Sequence, residues 1–158
     1  ARSMLGSSGY PVRAYRLDAV FSNIRLARYL TKWCEWAETE LWTLMSYFHS
    51  TQDWELHFIA CGDLWEDLYA CLYCDSDVND NPKSTGGYLI TLEGLLGTML
   101  PLVWNSSGAT LTGCSSGECE SLSWGKAARE MMRVGTLFGP QVEQLVDAAA
   151  KTLDSLVA

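Results

Sequence analysis

The chain has 158 residues, 48% of them hydrophobic, which is enough for one compact domain with an appended segment. Its net charge of −8 disfavours nucleic-acid binding unless the basic residues cluster or a metal ion intervenes. Glu93 interrupts the apolar run Leu89–Trp104, so no stretch reaches the roughly 18 residues of a membrane span, and we expect no transmembrane segment.

The N-terminal third of the sequence is predicted to be helical after an irregular start. Residues 1–15 are rich in Gly and Ser and contain Pro11, which predicts an irregular lead-in. Leu17–Leu30 and Trp33–Phe48 both show the apolar spacing of amphipathic helices. Because only a short connection separates them, the two segments predict a helical hairpin.

From residue 54 onward the pattern changes to short strands followed by helix, strand and helix. This order predicts an α/β fold, a mixed sheet flanked by helices. A turn is predicted over Asn105–Gly108, where the letters read NSSG. The predicted strands are Trp54–Ala60, Leu68–Cys74, Gly87–Leu92, Thr98–Trp104, Ala109–Cys114 and Val142–Val146, and the predicted helices are Glu118–Val134 and Ala148–Val157.

Cysteine usage leaves two interpretations open. No secretory signal opens the chain, so we expect an intracellular protein with free thiols. The chain begins at Ala1, which suggests a fragment or a processed product. Cys71 and Cys74, with Cys114 and Cys119, could supply four zinc thiolates. Cys71 and Cys74 lie on a predicted strand, where their odd separation sends the side chains to opposite faces. We therefore favour the interpretation that these cysteines are small buried hydrophobic residues and not zinc ligands.

Three acidic residues are predicted to gather at one edge of the sheet. Asp75 ends a strand, Glu118 lies in the first turn of a helix, and Asp147 ends a later strand. In an open α/β sheet these positions share one edge. Three carboxylates there repel one another unless a divalent cation neutralises them, and oxygen ligands without clustered His favour Mg²⁺ or Mn²⁺. The alternative is that these acids bind no metal, because Asp and Glu are common at helix starts and strand ends for capping alone.

Five motifs in order carry a family resemblance. They are YCDSD at Tyr73–Asp77, KSTGGYLI at Lys83–Ile90, VWNS at Val103–Ser106, SSGECESL at Ser115–Leu122 and AAREMMR at Ala127–Arg133. Together they resemble the ribonuclease H region of copia-type retrotransposon polyproteins. That family carries a strand ending in an S-D-A-D-like motif, an R-S-T-S-G-Y segment, a W-x-S-K-K-Q segment and an S-S-T-E-A-E-Y helix start.

The upstream part resembles the same polyproteins. Arg16–Phe21, Leu26–Trp33 and Tyr47–Leu56 are similar to the segment that joins reverse transcriptase to ribonuclease H. The resemblance therefore implies a connection-like segment over residues 1–53 and a C-terminally truncated ribonuclease H-like domain over residues 54–158.

The resemblance also implies a site and a reaction. The family's first metal-binding Asp falls on Asp75, its Glu on Glu118 and its second Asp on Asp147. In the family these catalytic acids hold two Mg²⁺ or Mn²⁺ ions. One ion activates a water that attacks a phosphodiester of RNA in an RNA–DNA hybrid, and the other stabilises the leaving oxygen.

Departures from the family pattern support a second interpretation. The family's last active-site acid has no obvious counterpart before Ala158, the segment after Trp104 lacks lysines, and Arg16-Leu17-Asp18 lacks the Pro of the usual R-P-D. Loss of backbone-binding cations weakens hybrid binding. The alternative is a non-catalytic, co-opted subunit whose surplus Trp residues form a contact face for protein partners.

Overall fold

The computed structural model describes residues 2–77, 84–108 and 115–138. Contacts divide the chain into two compact units, residues 1–57 with 105–107 and residues 58–104 with 108–158. The first unit is helical apart from residues 105–107, which belong to a strand, and the second is a sheet with one long helix. The functional division into a connection-like segment over 1–53 and a ribonuclease H-like domain over 54–158 stays a prediction.

The helical unit contains three α-helices. Helix α1 spans Arg2–Ala14, a 3₁₀ turn at Leu17–Ala19 leads into α2 at Val20–Ala27, and α3 spans Glu35–Ser50. Both predicted helices are present, α2 ending earlier than expected, and α2 packs against α3. Glu35 and Glu38 lie in the first turn of α3, where their negative charges interact favourably with the positive end of the helix dipole. The shared core consists of Leu5, Val12, Ala19, Leu26, Ala37, Leu41 and Leu44.

Helix α1 corrects the prediction of an irregular lead-in over residues 1–15. Despite its Gly, Ser and Pro content, the segment places Leu5, Ser8 and Val12 on one buried stripe. The Asn23 side-chain amide donates to Ser8 Oγ at 2.6 Å, and Ser8 Oγ donates to the Leu5 carbonyl at 2.9 Å. Burial against α2 therefore overrides the poor helix propensity of the segment.

Arg16 is the buried polar centre of the helical unit. Its Nη2 lies 2.8 Å from Asp18 Oδ2 and 2.7 Å from Thr51 Oγ1, and its Nη1 donates to the Thr51 carbonyl at 3.2 Å. The Tyr47 hydroxyl donates to Asp18 Oδ2 at 2.6 Å, and the guanidinium lies 5.0 Å from the Phe48 ring centroid. The hydrogen bond from Arg16 is the main cause that lowers the pKa of Asp18. This network joins the start of α2 to the end of α3.

The second unit contains a three-stranded antiparallel sheet. Strand β1 spans Tyr69–Asp77, β2 spans Thr85–Glu93 and β3 spans Met99–Gly108, in the order β1-β2-β3. Tyr69 pairs with Glu93 and Asp77 with Thr85 in a continuous antiparallel register. Among the described residues every strand pair is antiparallel, whereas the predicted mixed sheet also needs a parallel strand. The predicted strands Ala109–Cys114 and Val142–Val146 lie outside the described residues.

One face of the sheet is covered by helix α4, Ser116–Phe138. Because side chains alternate along a strand, even-numbered residues of β1 and β2 share this face. Odd-numbered residues, including Tyr73 and Asp75, point to the opposite face. The mixed α/β class is therefore confirmed, with the core of this unit formed by Leu68, Ala70, Ile90, Leu92, Met131 and Val134.

Two local predictions in this region are wrong. Over Trp54–Ala60 the structure has only an isolated bridge, Ile59 to Met99, because most of these side chains are exposed and supply no buried face for a strand. Asn105–Gly108 is the end of β3 rather than a turn. Ser106 is buried there, and Lys126 Nζ donates to the Gly108 carbonyl at 2.6 Å.

Two further observations bear on sequence predictions. The predicted C-terminal helix Ala148–Val157 lies outside the described residues. Among the helices that the structure describes, none is long and apolar enough to cross a membrane.

Replacing Arg16 with Met should lower the free energy of unfolding by about 3 kcal/mol, because it leaves Asp18 and Thr51 without their buried partner. Chemical denaturation measures this change. Arg13→Met is the control, since Arg13 is an exposed helical residue and its loss should change stability by less than about 0.5 kcal/mol. Equal stability losses in the two variants would contradict the assignment of Arg16 as the centre of this unit.

Candidate functional site

Asp75 lies near the end of β1, two residues before its last residue, Asp77. Its backbone is opposite Gly87 of β2, and its side chain is exposed on the face of the sheet away from α4. Asp75 Oδ1 accepts a hydrogen bond from the Ser76 N–H at 2.7 Å. The paired backbone holds this carboxylate on a rigid support, as the sequence predicts.

Helix α4 is fastened to the sheet beside Asp75. Ser123 Oγ of α4 donates to the Asp75 carbonyl at 3.1 Å. Across the ladder, a Cβ added to Gly86 would overlap Ser123 Oγ and would lie 3.0 Å from Ser123 Cβ. Glycine at position 86 therefore permits the close approach that brings the start of α4 to the end of β1.

Glu118 lies in the first turn of α4, as predicted, and is exposed. The Ser115 hydroxyl accepts the Glu118 N–H at 3.3 Å, which caps the helix start. Ser123 contacts β1 at Asp75, and further along α4 Met131 packs with Leu68 and Ala70 at the other end of that strand. The first turn of α4 therefore extends past Asp75 toward the end of β1.

A second acid of α4, Glu120, lies closer to the sheet than Glu118. Helical geometry puts Glu120 about 60° and Glu118 about 140° around the axis from Ser123. The pKa of Cys74 is raised first by burial and then by the negative charges of Asp75 and Glu120. Glu120 was not among the residues predicted from the sequence, although its spacing of three residues from Ser123 places it on the same side of the helix.

The structure describes two of the three predicted metal ligands. Asp147 lies outside the described residues. Within residues 2–77, 84–108 and 115–138, no three His, Cys, Asp or Glu side chains form a group that could hold a metal ion. The predicted cluster of Asp75, Glu118 and Asp147 therefore stays a prediction.

The chemistry near Asp75 suits a hard divalent cation. Asp75, Glu118 and Glu120 offer exposed carboxylate oxygens, the donors that Mg²⁺ prefers. The adjacent Ser76 Oγ is buried and has no hydrogen-bond partner among the described residues. Because side chains alternate along β1, this hydroxyl lies on the α4 face of the sheet and the Asp75 carboxylate on the opposite face.

The face of the sheet opposite α4 carries a polar network that was not predicted from the sequence, and within it Thr91 is fully buried. Glu93 Oε1 accepts hydrogen bonds from the Tyr73 hydroxyl at 2.8 Å and from Thr91 Oγ1 at 2.6 Å. The Glu93 hydrogen bond is the main cause that raises the pKa of Tyr73 to about 12. Partial burial pushes the pKa of Glu93 upward, but the bonds from Thr91, Tyr73 and Cys71 lower it overall. Cys71 pairs with Thr91, and Tyr73 and Glu93 lie two residues from this pair on their own strands, so the Tyr73–Glu93 contact runs diagonally across the ladder on one face.

The cysteines are free where the structure describes them. Cys119 is buried, Cys71 and Cys74 are half-buried on opposite faces of β1, and Cys34 and Cys61 are exposed. Burial is the first cause that raises the pKa of Cys71, which favours the neutral thiol. Cys114, the remaining member of the alternative zinc set, lies outside the described residues.

Comparison of the chain with protein-family models, with curated proteins and with solved structures found no match. The candidate site therefore stands on the residues and contacts described above.

Gly86→Ala should lower the free energy of unfolding by about 1–2 kcal/mol, because the new methyl group forces α4 away from the sheet. In a Ser123→Ala background the loss should be smaller, since the overlapping hydroxyl is gone. Denaturant titration of the four members of this cycle measures the coupling.

Gly125→Ala is the control for this cycle. Gly125 lies on α4 with open space where the alanine methyl group would lie, so alanine there should stabilise the protein by about 0.5–1 kcal/mol. Strictly additive effects at positions 86 and 123 would contradict the close approach.

Proposed function

We propose that the chain is a divalent-metal-dependent ribonuclease H-type endonuclease that hydrolyses RNA in RNA–DNA hybrids, in the manner of the copia-type retrotransposon domain that it resembles. The observation that carries the proposal is the bond between Ser123 and the Asp75 carbonyl. It joins the helix that begins with SSGECES to the strand that ends with YCDSD, so the two most distinctive motifs meet.

In the proposed site Asp75, Glu118 and Asp147 would hold the metal. A bound divalent ion supplies an activated water and stabilises the leaving oxygen. Asp75 is positioned by the β1–β2 ladder, and Glu118 is positioned by the capped start of α4. Glu120 would add a further negative charge at the same end of β1, where its charge already acts on Cys74. Asp75 and Glu118 would bind and orient the metal ion. The buried interface between α4 and the sheet would keep the distance between these two residues constant.

A second function is favoured by a different observation. Several large apolar side chains are exposed, among them Trp42, Trp54 and Trp65, each more than half exposed. With a net charge of −8, such a surface suits protein partners better than a phosphate backbone. The alternative is therefore a co-opted, non-catalytic subunit of a larger protein assembly.

Cleavage of a labelled RNA–DNA hybrid at low salt with millimolar Mn²⁺ or Mg²⁺ tests the first proposal. Wild-type protein should cleave the RNA strand, and Asp75→Asn, Glu118→Gln or Asp147→Asn should each reduce the rate at least ~100-fold, because each removes a metal ligand. Glu120→Gln shows which carboxylate of α4 contributes more.

Glu130→Gln is the matched control for these variants. Glu130 lies on the same helix, about three turns beyond Glu118, and pairs with Arg133 at 3.3 Å. Its loss should leave the cleavage rate unchanged. Wild-type protein that fails to cleave any hybrid under these conditions would reject the nuclease proposal and favour the assembly subunit.

A further inference from the structure

An exposed apolar patch lies on the sheet unit, away from the candidate nuclease site. Two short segments form it, residues 59–65 and residues 95–99, which are the end of the β2–β3 connection and the first residue of β3. The patch, here called the Leu95 patch, consists of Ile59, Leu64, Trp65, Leu95, Leu96 and Met99. Leu95 is 85% exposed and Leu96 66% exposed, which is unusual in a tight connection, where polar residues predominate.

Hydrogen bonds hold the two segments together. Ile59 and Met99 exchange backbone hydrogen bonds at 2.8 and 3.1 Å. Asp63 Oδ1 accepts the Leu96 N–H at 2.8 Å, and Asp63 Oδ2 accepts the Thr98 N–H at 3.2 Å. Hydrogen bonds from Thr98 and Leu96 lower the pKa of Asp63, because they favour its charged carboxylate. The apolar side chains are therefore presented on an ordered surface.

Glycines complete the connection. Gly97 has a φ of 104°, a backbone conformation that other residues rarely adopt. A Cβ on Gly94 would overlap the Asp63 carboxylate. The sequence thus supports one specific shape that displays Leu95 and Leu96 at its tip. A contiguous exposed apolar patch next to charged residues is typical of an interaction site.

The charge around the patch selects its partner. Between Lys32 and Lys126 the sequence has fourteen Asp and Glu residues and a single basic residue, Lys83. In the described part of residues 58–104 there is no Lys or Arg, whereas Glu66 and Asp67 directly follow Trp65. Phosphate backbones, anionic lipid surfaces and a second acidic copy of the chain would all be repelled. A segment that combines apolar and basic residues would be attracted.

We propose that the Leu95 patch is a docking site for a protein segment with an apolar face flanked by lysine or arginine. Leu95, Leu96 and Trp65 supply the apolar contact, and Glu66 and Asp67 pair with the basic flanks. The site is separate from Asp75 and Glu118, so it operates whether or not the chain is a nuclease.

Binding of model helical peptides to the full chain tests the proposal. A fluorescent leucine–lysine peptide should bind, and its leucine–glutamate counterpart and a lysine-only peptide should not. The double variant Leu95→Ser with Leu96→Ser should weaken binding at least ~10-fold. Glu66→Gln with Asp67→Asn should weaken it and reduce its dependence on salt.

Met132→Ser is the control, because Met132 is an exposed apolar residue of α4, 55% exposed, that lies outside the Leu95 patch. It should leave peptide affinity unchanged. Circular dichroism of each variant verifies the fold. The proposal is overturned if the Leu95→Ser, Leu96→Ser double variant binds the leucine–lysine peptide like wild type, or if the leucine–glutamate peptide binds as well. It is also overturned if an RNA–DNA duplex or phosphatidylserine vesicle binds in a Leu95-dependent way. Self-association that the double variant abolishes, measured by sedimentation, would overturn it too and assign the patch to a second copy.

Discussion

The close contact between α4 and the sheet at Gly86 is the constraint on which the candidate site depends. Only glycine at position 86 leaves room for Ser123, whose hydroxyl then reaches the Asp75 carbonyl. This contact determines where the first turn of α4 lies relative to the end of β1. Residues 48 positions apart in sequence thereby become neighbours. The packing of α4 against β1 and β2 therefore holds Asp75 and the acids of α4 at this end of the sheet.

Much of this arrangement follows from sequence pattern. Apolar periodicity predicted α3, β1, β2 and α4. Local pattern failed where tertiary contacts decide the outcome. Residues 1–15 have poor helix propensity, yet Leu5, Ser8 and Val12 form a helix because α2 buries them. The Trp54–Ala60 segment alternates like a strand, yet it has no buried face and pairs only at Ile59.

The side-chain networks were the hardest features to predict. Arg16 and Asp18 stood out only as part of a family-like motif, whereas the structure makes Arg16 the polar centre of the helical unit. Glu93 and Tyr73 meet because of the β1–β2 register, which residue types alone do not reveal. The same reasoning applies to Glu120, whose position near Cys74 depends on the rotation of α4 about its axis. Such features require the packing of distant segments and are not encoded in a local window.

The proposed nuclease requires that Asp75, Glu118 and Asp147 converge around a divalent cation. Titration of isotopically labelled protein with Mn²⁺, followed by amide NMR, measures this convergence, because the ion broadens signals of nearby residues. We expect broadening centred on the amides of these three residues, lost in the Asp75→Asn variant. Broadening centred instead on other acidic stretches, such as Glu35–Glu40, or no localised broadening at millimolar Mn²⁺, would contradict it.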